Sequence, residues 1–504
     1  MAFAENNFLV ANKIQLDKRQ FEVECNLDAG CQVKKVLTIS CNPVVEGNEV
    51  LNGVINYSGY VDLKVVFETE EGEIDTIGAT CPFSSKFENE NIAVGQTAFI
   101  FVKVVDYETT SVNGGDIKVL VTLEEGGYAF GNKEIKSIQT DDENVCAKEE
   151  GIKVIKYLTS ASENFVLQSE INLRDKVKKL ISTESAACIK SIESGTNFVS
   201  VSGEIVSRIL YLTDNDKFEC GYVCDAFKEE VEVEGVTRDS MVEGYVFVDM
   251  KKTEVEIVED EKGCKIIVKP ALTIMVNACI EEEVGVIKDL YCTQNELAIT
   301  TESFSNTMPC QMEVVEGKIE GSLSLDEDAP RVDKILFSGG NSVMITNAYV
   351  KDEQIFIEGV ARTTVVYLND ETGSLHSVQL DFPFTLDDKT DFDENATLTA
   401  TVILSDVDVA VKKGRDLLYD AKVKVNINGC KAVVSGVITS VSQGEPYAEK
   451  DYAMEVVFAK AGEEAWDVAK RAKVKEVQLL SQNENVIFPL TEDSSLVLFY
   501  QKVQ

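Results

Sequence analysis

The sequence predicts a mainly β protein: three repeated antiparallel modules, each a β-sandwich or barrel, followed by a small α+β domain. Two features recur along the 504 residues at nearly the same steps, roughly 144 and then roughly 155 residues. A period shared by two independent features indicates duplicated units, each long enough to have its own core. The predicted domains are 1–145, 146–298 and 299–447 for the modules and 448–504 for the last unit.

The first recurring feature is an alternating run centred on Gly59, Gly203 and Gly359. Apolar and polar residues alternate on both sides of the glycine, which is typical of a half-buried strand. A glycine inside such a strand indicates a bulge or a close approach of backbone. An aromatic residue follows at the same distance in every copy, and we expect it to have a fixed packing position: Phe67, Tyr211 and Tyr367.

The second recurring feature is a charged segment that opens each copy at 33–36, 177–180 and 332–335, and that we interpret as a turn. The joints between copies, near 146–152 and 296–307, are short and largely polar. Because no linker rich in Pro or Ser separates the copies, we expect modules that are packed or semi-rigidly joined, not freely tethered.

Composition limits the possible partners. The net charge of −39 would repel phosphate backbones and anionic membranes. It favours solubility or a preference for basic partner surfaces. No apolar run is long enough to span a bilayer, and residues 1–5 do not resemble a secretory signal, so we expect a cytoplasmic protein. Thirteen scattered cysteines predict reduced, mostly buried thiols.

Catalytic chemistry is poorly supported by the sequence. The single histidine, His376, lies in a polar stretch, which is typical of a surface residue. Neither a G-x-S-x-G elbow nor a phosphate-binding G-x-x-x-x-G-K-[ST] loop is present. Cys220 and Cys224 lack the second pair that a zinc site needs. We therefore predict a protein that is not an enzyme, with no catalytic, cofactor-binding or metal-binding residues.

The segment after residue 447 differs in kind from the repeats. Its pattern predicts a strand over 454–458, two helices of which the second ends at Asn483, and a closing strand over 495–500. Trp466, the only tryptophan, either packs within this unit or is exposed as an anchor for a partner, because aromatic residues dominate interface energetics. A basic cluster follows it: Lys470, Arg471, Lys473 and Lys475.

These residues resemble a LysM domain over 456–483. The family's hallmark is a strand, a Gly-Asp-Thr-Leu-Trp-like turn and an Ile-Ala-Lys-like helix start, and the matching residues are Gly462, Trp466, Val468, Ala469 and Lys470. LysM domains bind N-acetylglucosamine polymers. The turn residues 463–465 depart from the family's pattern, which argues against glycan binding and leaves protein binding open. The contact residues that the resemblance implies are Val456, Phe458, Trp466, Lys470, Arg471 and Lys473.

The repeats resemble the SPOCS domain of endospore-forming bacteria. Copy three is the best match, through 323–325, an acidic turn to Pro330, the segment 332–336 and the run 355–368. Tandem SPOCS domains followed by a LysM domain are the layout of SipL-type spore-coat morphogenetic proteins. The resemblance implies a non-enzymatic scaffold in the mother-cell cytoplasm, whose LysM-like end contacts the coat basement-layer ATPase of the SpoIVA type.

Three functional hypotheses follow. In the first, the modules form an elongated acidic scaffold and the unit 448–504 docks a protein partner through Trp466, so that Trp466→Ala weakens recruitment more than folding. In the second, exposed β edges pair between chains, and the protein is a structural subunit of homo-oligomers or filaments. In the third, the protein binds peptidoglycan or another N-acetylglucosamine polymer.

Overall fold

The computed structural model describes residues 3–260, 263–448 and 452–500. The predicted mainly β fold of repeated modules is confirmed. Each module has three consecutive strands that form an antiparallel meander, and a second sheet in which the strand before the meander and the two strands after it pair. We name these the meander sheet and the closing sheet. Apolar side chains from both sheets meet between them and form the core of the module.

The first module follows a short strand, β1 (Ala4–Glu5). Its strands are β2 (Phe8–Asp28), β3 (Val33–Leu51), β4 (Val54–Thr69), β5 (Ile74–Glu88), β6 (Thr97–Asn113) and β7 (Asp116–Ile135). The meander sheet is β3–β4–β5 and the closing sheet is β2–β7–β6. After the module, β8 (Ile138–Gln139) pairs with β1.

The second and third modules repeat this order, except that two strands take the place of the first one. The second module contains β9 (Val145–Val166), β10 (Ser169–Leu173), β11 (Val177–Ser194), β12 (Phe198–Thr213), β13 (Phe218–Glu232), β14 (Met241–Asp260) and β15 (Gly263–Cys292). The third contains β16 (Asn295–Pro309), β17 (Glu313–Ser324), β18 (Val332–Lys351), β19 (Gln354–Asn369), β20 (Leu375–Lys389), β21 (Thr397–Lys413) and β22 (Asp416–Pro446). Their meander sheets are β11–β12–β13 and β18–β19–β20.

The repeated glycine lies in the middle strand of each meander sheet, where only glycine fits. A Cβ atom on Gly59 would lie 2.1 Å from the carbonyl oxygen of Val44 and 2.7 Å from the ring of Phe83. One carbonyl oxygen and one Phe ring crowd Gly203 and Gly359 in the same way. The predicted close approach of backbone is therefore confirmed. The aromatic residues that follow are buried in the module cores: Phe67, Tyr211 and Tyr367.

Two local predictions are wrong. The charged segments at 33–36, 177–180 and 332–335 are not turns but the first residues of β3, β11 and β18, and each contains a register shift. A bulge interrupts the alternation of side chains, and this gave the segments the appearance of turns. The expected joints at 146–152 and 296–307 lie inside the long strands β9 and β16. The chain therefore passes between modules just before these strands, through residues 136–144 and 293–294.

The modules do not form the elongated arrangement expected in the first hypothesis. They pack around a common centre, where all three meander sheets contribute to one buried cluster: Leu37, Val66, Ile181, Leu210, Phe337 and Val366. A second cluster joins the three closing sheets: Phe8, Val10, Ile135, Val154, Val286, Phe304 and Val437. Because Val66, Leu210 and Val366 hold the same position after the repeated glycine, the arrangement has approximate threefold symmetry.

Each pair of modules is also joined by a pair of opposite charges. Lys13 of the first module contacts Glu243 of the second at 3.0 Å, and their side chains are 5% and 0% exposed. The second and third modules are joined by Glu204 and Lys424, and the third and first by Arg362 and Asp106. The Lys13–Glu243 pair is buried, so moving the first two modules apart would leave an uncompensated charge on each side, which disfavours other arrangements of these modules.

The C-terminal unit has the predicted order of strand, helix, helix and strand. Its elements are β23 (Met454–Ala459), α1 (Ala465–Ala472), α2 (Glu476–Gln482) and β24 (Ser494–Phe499). Strands β23 and β24 pair antiparallel. In the described part of the chain, neither helix has the length and apolar character needed to cross a membrane.

The cysteines depart from the expectation of reduced thiols at one place. Cys25 of β2 and Cys81 of β5 are joined as a disulfide between the two sheets of the first module. Cys220 and Cys224 are both free and exposed on β13.

Candidate partner-binding surface

Trp466 attaches the C-terminal unit to the second module. It lies in the first turn of α1 and is 7% exposed. Its Nε1 atom donates a hydrogen bond to Oδ2 of Asp289 at 2.8 Å, and its ring meets Tyr291 edge-on with 5.0 Å between the ring centroids. Asp289 and Tyr291 both lie near the end of β15. Trp466 is thus an anchor within the chain, and the interpretation of an exposed anchor does not fit this position.

Lys470 completes the attachment one turn further along α1. Its Nζ atom contacts both carboxylate oxygens of Asp289, at 2.5 and 2.7 Å. Burial raises the pKa of Asp289, but hydrogen bonds from Lys470 and Trp466 outweigh this effect and keep the pKa below its ordinary value. The hydroxyl of Tyr291 donates to the carbonyl oxygen of Val474 at 2.7 Å. We name the part of the unit that makes these contacts the docked side.

The other two predicted basic contacts are also engaged within the chain. Arg471 forms an ion pair with Glu463, and its Nη2 atom donates to the carbonyl oxygen of Phe458 at 2.9 Å. The Lys473 ammonium lies 4.9 Å from the centroid of the Tyr447 ring. Lys470, Arg471 and Lys473 therefore all make contacts within the chain.

Val456 and Phe458 lie on the opposite side of the unit and face solvent. Their exposed fractions are 44% and 76%, and Met454 on the same face of β23 is 54% exposed. Phe499 of β24, directly opposite Met454, is 54% exposed and extends the apolar surface. We name this face of the two-stranded sheet the open side. The other face of the sheet packs against the helices through Val457, Ala459, Leu496 and Leu498.

Sequence reasoning found half of this surface. It named Val456 and Phe458 but missed Met454 and Phe499. The available signal was that β23 has apolar residues on both faces. A small sheet that helices cover on one side needs apolar residues only on the covered face. It also missed Asp289 and Tyr291, because nothing in the spacing of a strand predicts which distant helix will contact it.

A cavity of about 890 Å³ lies where the three modules meet, and ionisable groups from different modules line it. Glu184 accepts hydrogen bonds from the backbone N of Gly340 at 3.0 Å and from Nδ2 of Asn341 at 2.9 Å. Arg208 donates through Nη2 to Ser338 at 2.9 Å. Both sets of bonds join the second module to the third. Among residues 3–260, 263–448 and 452–500, no group of three or more His, Cys, Asp or Glu could hold a metal ion.

Comparison of the chain with protein-family models, with curated proteins and with solved structures finds no match. The arguments for function therefore rest on the geometry and on the residues themselves.

Proposed function

We propose that the protein is a non-enzymatic scaffold or adaptor in endospore coat assembly, and that its C-terminal unit recruits a protein partner in the mother-cell cytoplasm. The partner that the resemblance implies is the coat basement-layer ATPase. The observation that carries the proposal is the contrast within the C-terminal unit: one side is docked on the second module, and the other exposes a connected apolar surface.

The energetics of this surface favour a binding role. Met454, Val456, Phe458 and Phe499 are neighbours across two paired strands, so they form one patch, and a patch of this kind in a soluble protein marks an interaction site. An aromatic residue such as Phe458 at the centre of an interface supplies a large share of its binding energy. Docking on the second module fixes the direction in which the patch faces, which reduces the entropy lost when a partner binds.

The three-module body supports the scaffold part of the proposal. Its modules are joined by two shared apolar clusters and by a pair of charges at each interface, which favours one arrangement of the three modules. The net charge of −39 keeps such a body apart from other copies and from anionic surfaces.

The test is affinity purification of the full chain from sporulating cells, with Phe458→Ser as the variant. We expect recovery of the basement-layer ATPase to fall about tenfold, the change in affinity that removing about 1.4 kcal/mol of contact produces. The matched control is Val434→Ser, which alters an apolar strand residue of the third module that is 70% exposed. Equal recovery with both variants and the unaltered chain would contradict the proposal.

A further inference from the structure

The two edges of the small C-terminal sheet are not equivalent. On β24, the backbone N–H of Val497 donates to Oδ1 of Asn483 at 2.9 Å, and its C=O accepts from Nδ2 at 2.9 Å. The N–H of Phe499 donates to Oε1 of Gln482 at 2.8 Å, and its C=O accepts from Nε2 at 3.2 Å. Two amide side chains from the end of α2 therefore occupy this edge in place of a neighbouring strand.

No described residue covers the edge of β23 in a comparable way. Val456 lies opposite Val497, and in an antiparallel pair the two opposite residues direct their N–H and C=O groups either both inward or both outward. Because those of Val497 point outward to Asn483, those of Val456 also point outward. The same argument applies to Met454, opposite Phe499. Along this edge, the side-chain contact that the described residues supply is the bond from Arg471 to the carbonyl oxygen of Phe458.

An open edge and an exposed apolar face thus coincide on one strand. The residues whose backbone groups point outward, Met454, Val456 and Phe458, are the residues whose side chains form the open side. A strand added here would form backbone hydrogen bonds to β23 and would also place alternate side chains beside this apolar row. Proteins usually block open edges, and β24 is blocked in this way.

We propose that β23 receives an extended segment of a partner protein as a third, antiparallel strand of the sheet. The segment has apolar residues at alternate positions and basic residues between them. We choose a basic segment because the net charge of −39 attracts it and disfavours a second copy of the chain. The inference rests on the proposed function and adds to it the mode of binding.

The test uses a short peptide of alternating valine and lysine, titrated against the full chain by fluorescence anisotropy. In antiparallel pairing, the valines lie opposite Met454, Val456 and Phe458. They exchange backbone hydrogen bonds with Met454 and Val456, whereas the carbonyl oxygen of Phe458 already accepts from Arg471. Methylation of the valine nitrogens should therefore weaken binding by about tenfold or more, whereas methylation of the lysine nitrogens should leave it nearly unchanged. Equal binding of both methylated peptides would overturn the proposal, as would no binding of the unmodified peptide.

The matched variants of the chain are Val456→Pro and Val456→Thr. Proline removes the outward N–H and is tolerated at a free edge, whereas threonine keeps both the N–H and the branched side chain. We expect the peptide to bind the threonine variant and not the proline variant. If the unaltered chain sediments as a dimer and Val456→Pro sediments as a monomer, the edge binds a second copy of the chain. That result would overturn the choice of partner. Normal recovery of the ATPase by Val456→Pro, together with its loss in Phe458→Ser, would refute strand addition and retain the proposed function.

Discussion

The docked and open sides of the C-terminal unit use similar residue types in opposite ways. On the docked side, an aromatic ring, a lysine and a carboxylate satisfy one another's polar groups. On the open side, aromatic and aliphatic side chains lie in solvent beside backbone groups that point outward. An aromatic residue in this unit therefore identifies a contact but not whether the contact lies within the chain or with another molecule. Substitutions on the two sides should separate stability from binding.

The largest effect is expected for Trp466→Ala, because it removes a buried ring from the docked side. We expect the C-terminal unit to lose about 3–5 kcal/mol of stability, the usual cost of truncating a buried aromatic residue. Hydrogen exchange of the α1 amides measures the loss. The control, Phe458→Ala on the open side, should change protection by less than about 0.5 kcal/mol, as is usual for surface substitutions. Equal protection in the two variants would show that Trp466 is not required for docking.

Asp289→Ala should have the next largest effect, because it leaves the Trp466 Nε1–H and the Lys470 ammonium without their acceptor. We expect the contacts of the docked side to lose about 1–3 kcal/mol of stabilising free energy. Trp466 is the only tryptophan, so its fluorescence reports docking directly, and its emission should shift to longer wavelength. The control is Lys148→Met, which breaks an exposed ion pair to Glu464 and should cost less than about 1 kcal/mol. An unshifted emission in Asp289→Ala would contradict the assignment.

Asn483→Ala tests the contrast between the two sheet edges. The substitution removes both hydrogen bonds to Val497 and opens β24 at this residue, while Gln482 still covers Phe499. Hydrogen exchange of the peptide containing Val497 should become about tenfold faster, equivalent to about 1.4 kcal/mol. Asn483→Asp keeps an acceptor for the Val497 N–H and should give a smaller increase. If exchange stays slow in Asn483→Ala, the amide does not protect this edge.

The smallest effect is expected from pH. The pKa of Asp289 is lower in the folded chain than its usual value of about 3.9. A lowered carboxyl pKa stabilises docking fully above that usual value, and the contribution is lost as the pH falls through the folded-state pKa. Tryptophan emission should therefore stay constant from neutral pH to about pH 4 and shift only below it. The shift should be absent in Asp289→Asn. A transition near neutral pH in the unaltered chain would be inconsistent with this carboxylate.

The repeat was predictable because the crowded glycine imposes the same residue type in every copy. Packed or semi-rigidly joined modules were expected, but their packing around a common centre was not predicted, although the sequence contains a signal for it. At Val65, Val66 and Phe67, and at the matching places in the other copies, three apolar residues follow one another and break the alternation of a half-buried strand. Such a run is typical of a strand buried on both faces. Here the second face meets the other two modules through Val66, Leu210 and Val366.

The partner of Trp466 could not be predicted for a different reason. A hydrogen bond between α1 and β15 depends on how two distant segments pack, and neither segment carries a local pattern that names the other. The two strands and two helices of the unit, by contrast, follow from periodicity within a few residues. Local order was therefore predictable, and the division of the unit into docked and open sides was not.

The shared clusters at the centre have a consequence for how the three copies can change. A larger side chain at Val66 must be accommodated by Leu210 and Val366. These matching positions of the three copies therefore cannot vary independently of each other. A fragment with one copy deleted would present the remaining halves of both clusters to water and should aggregate. The three copies share a two-sheet plan, yet we expect the removal of any one of them to lower the solubility of the rest.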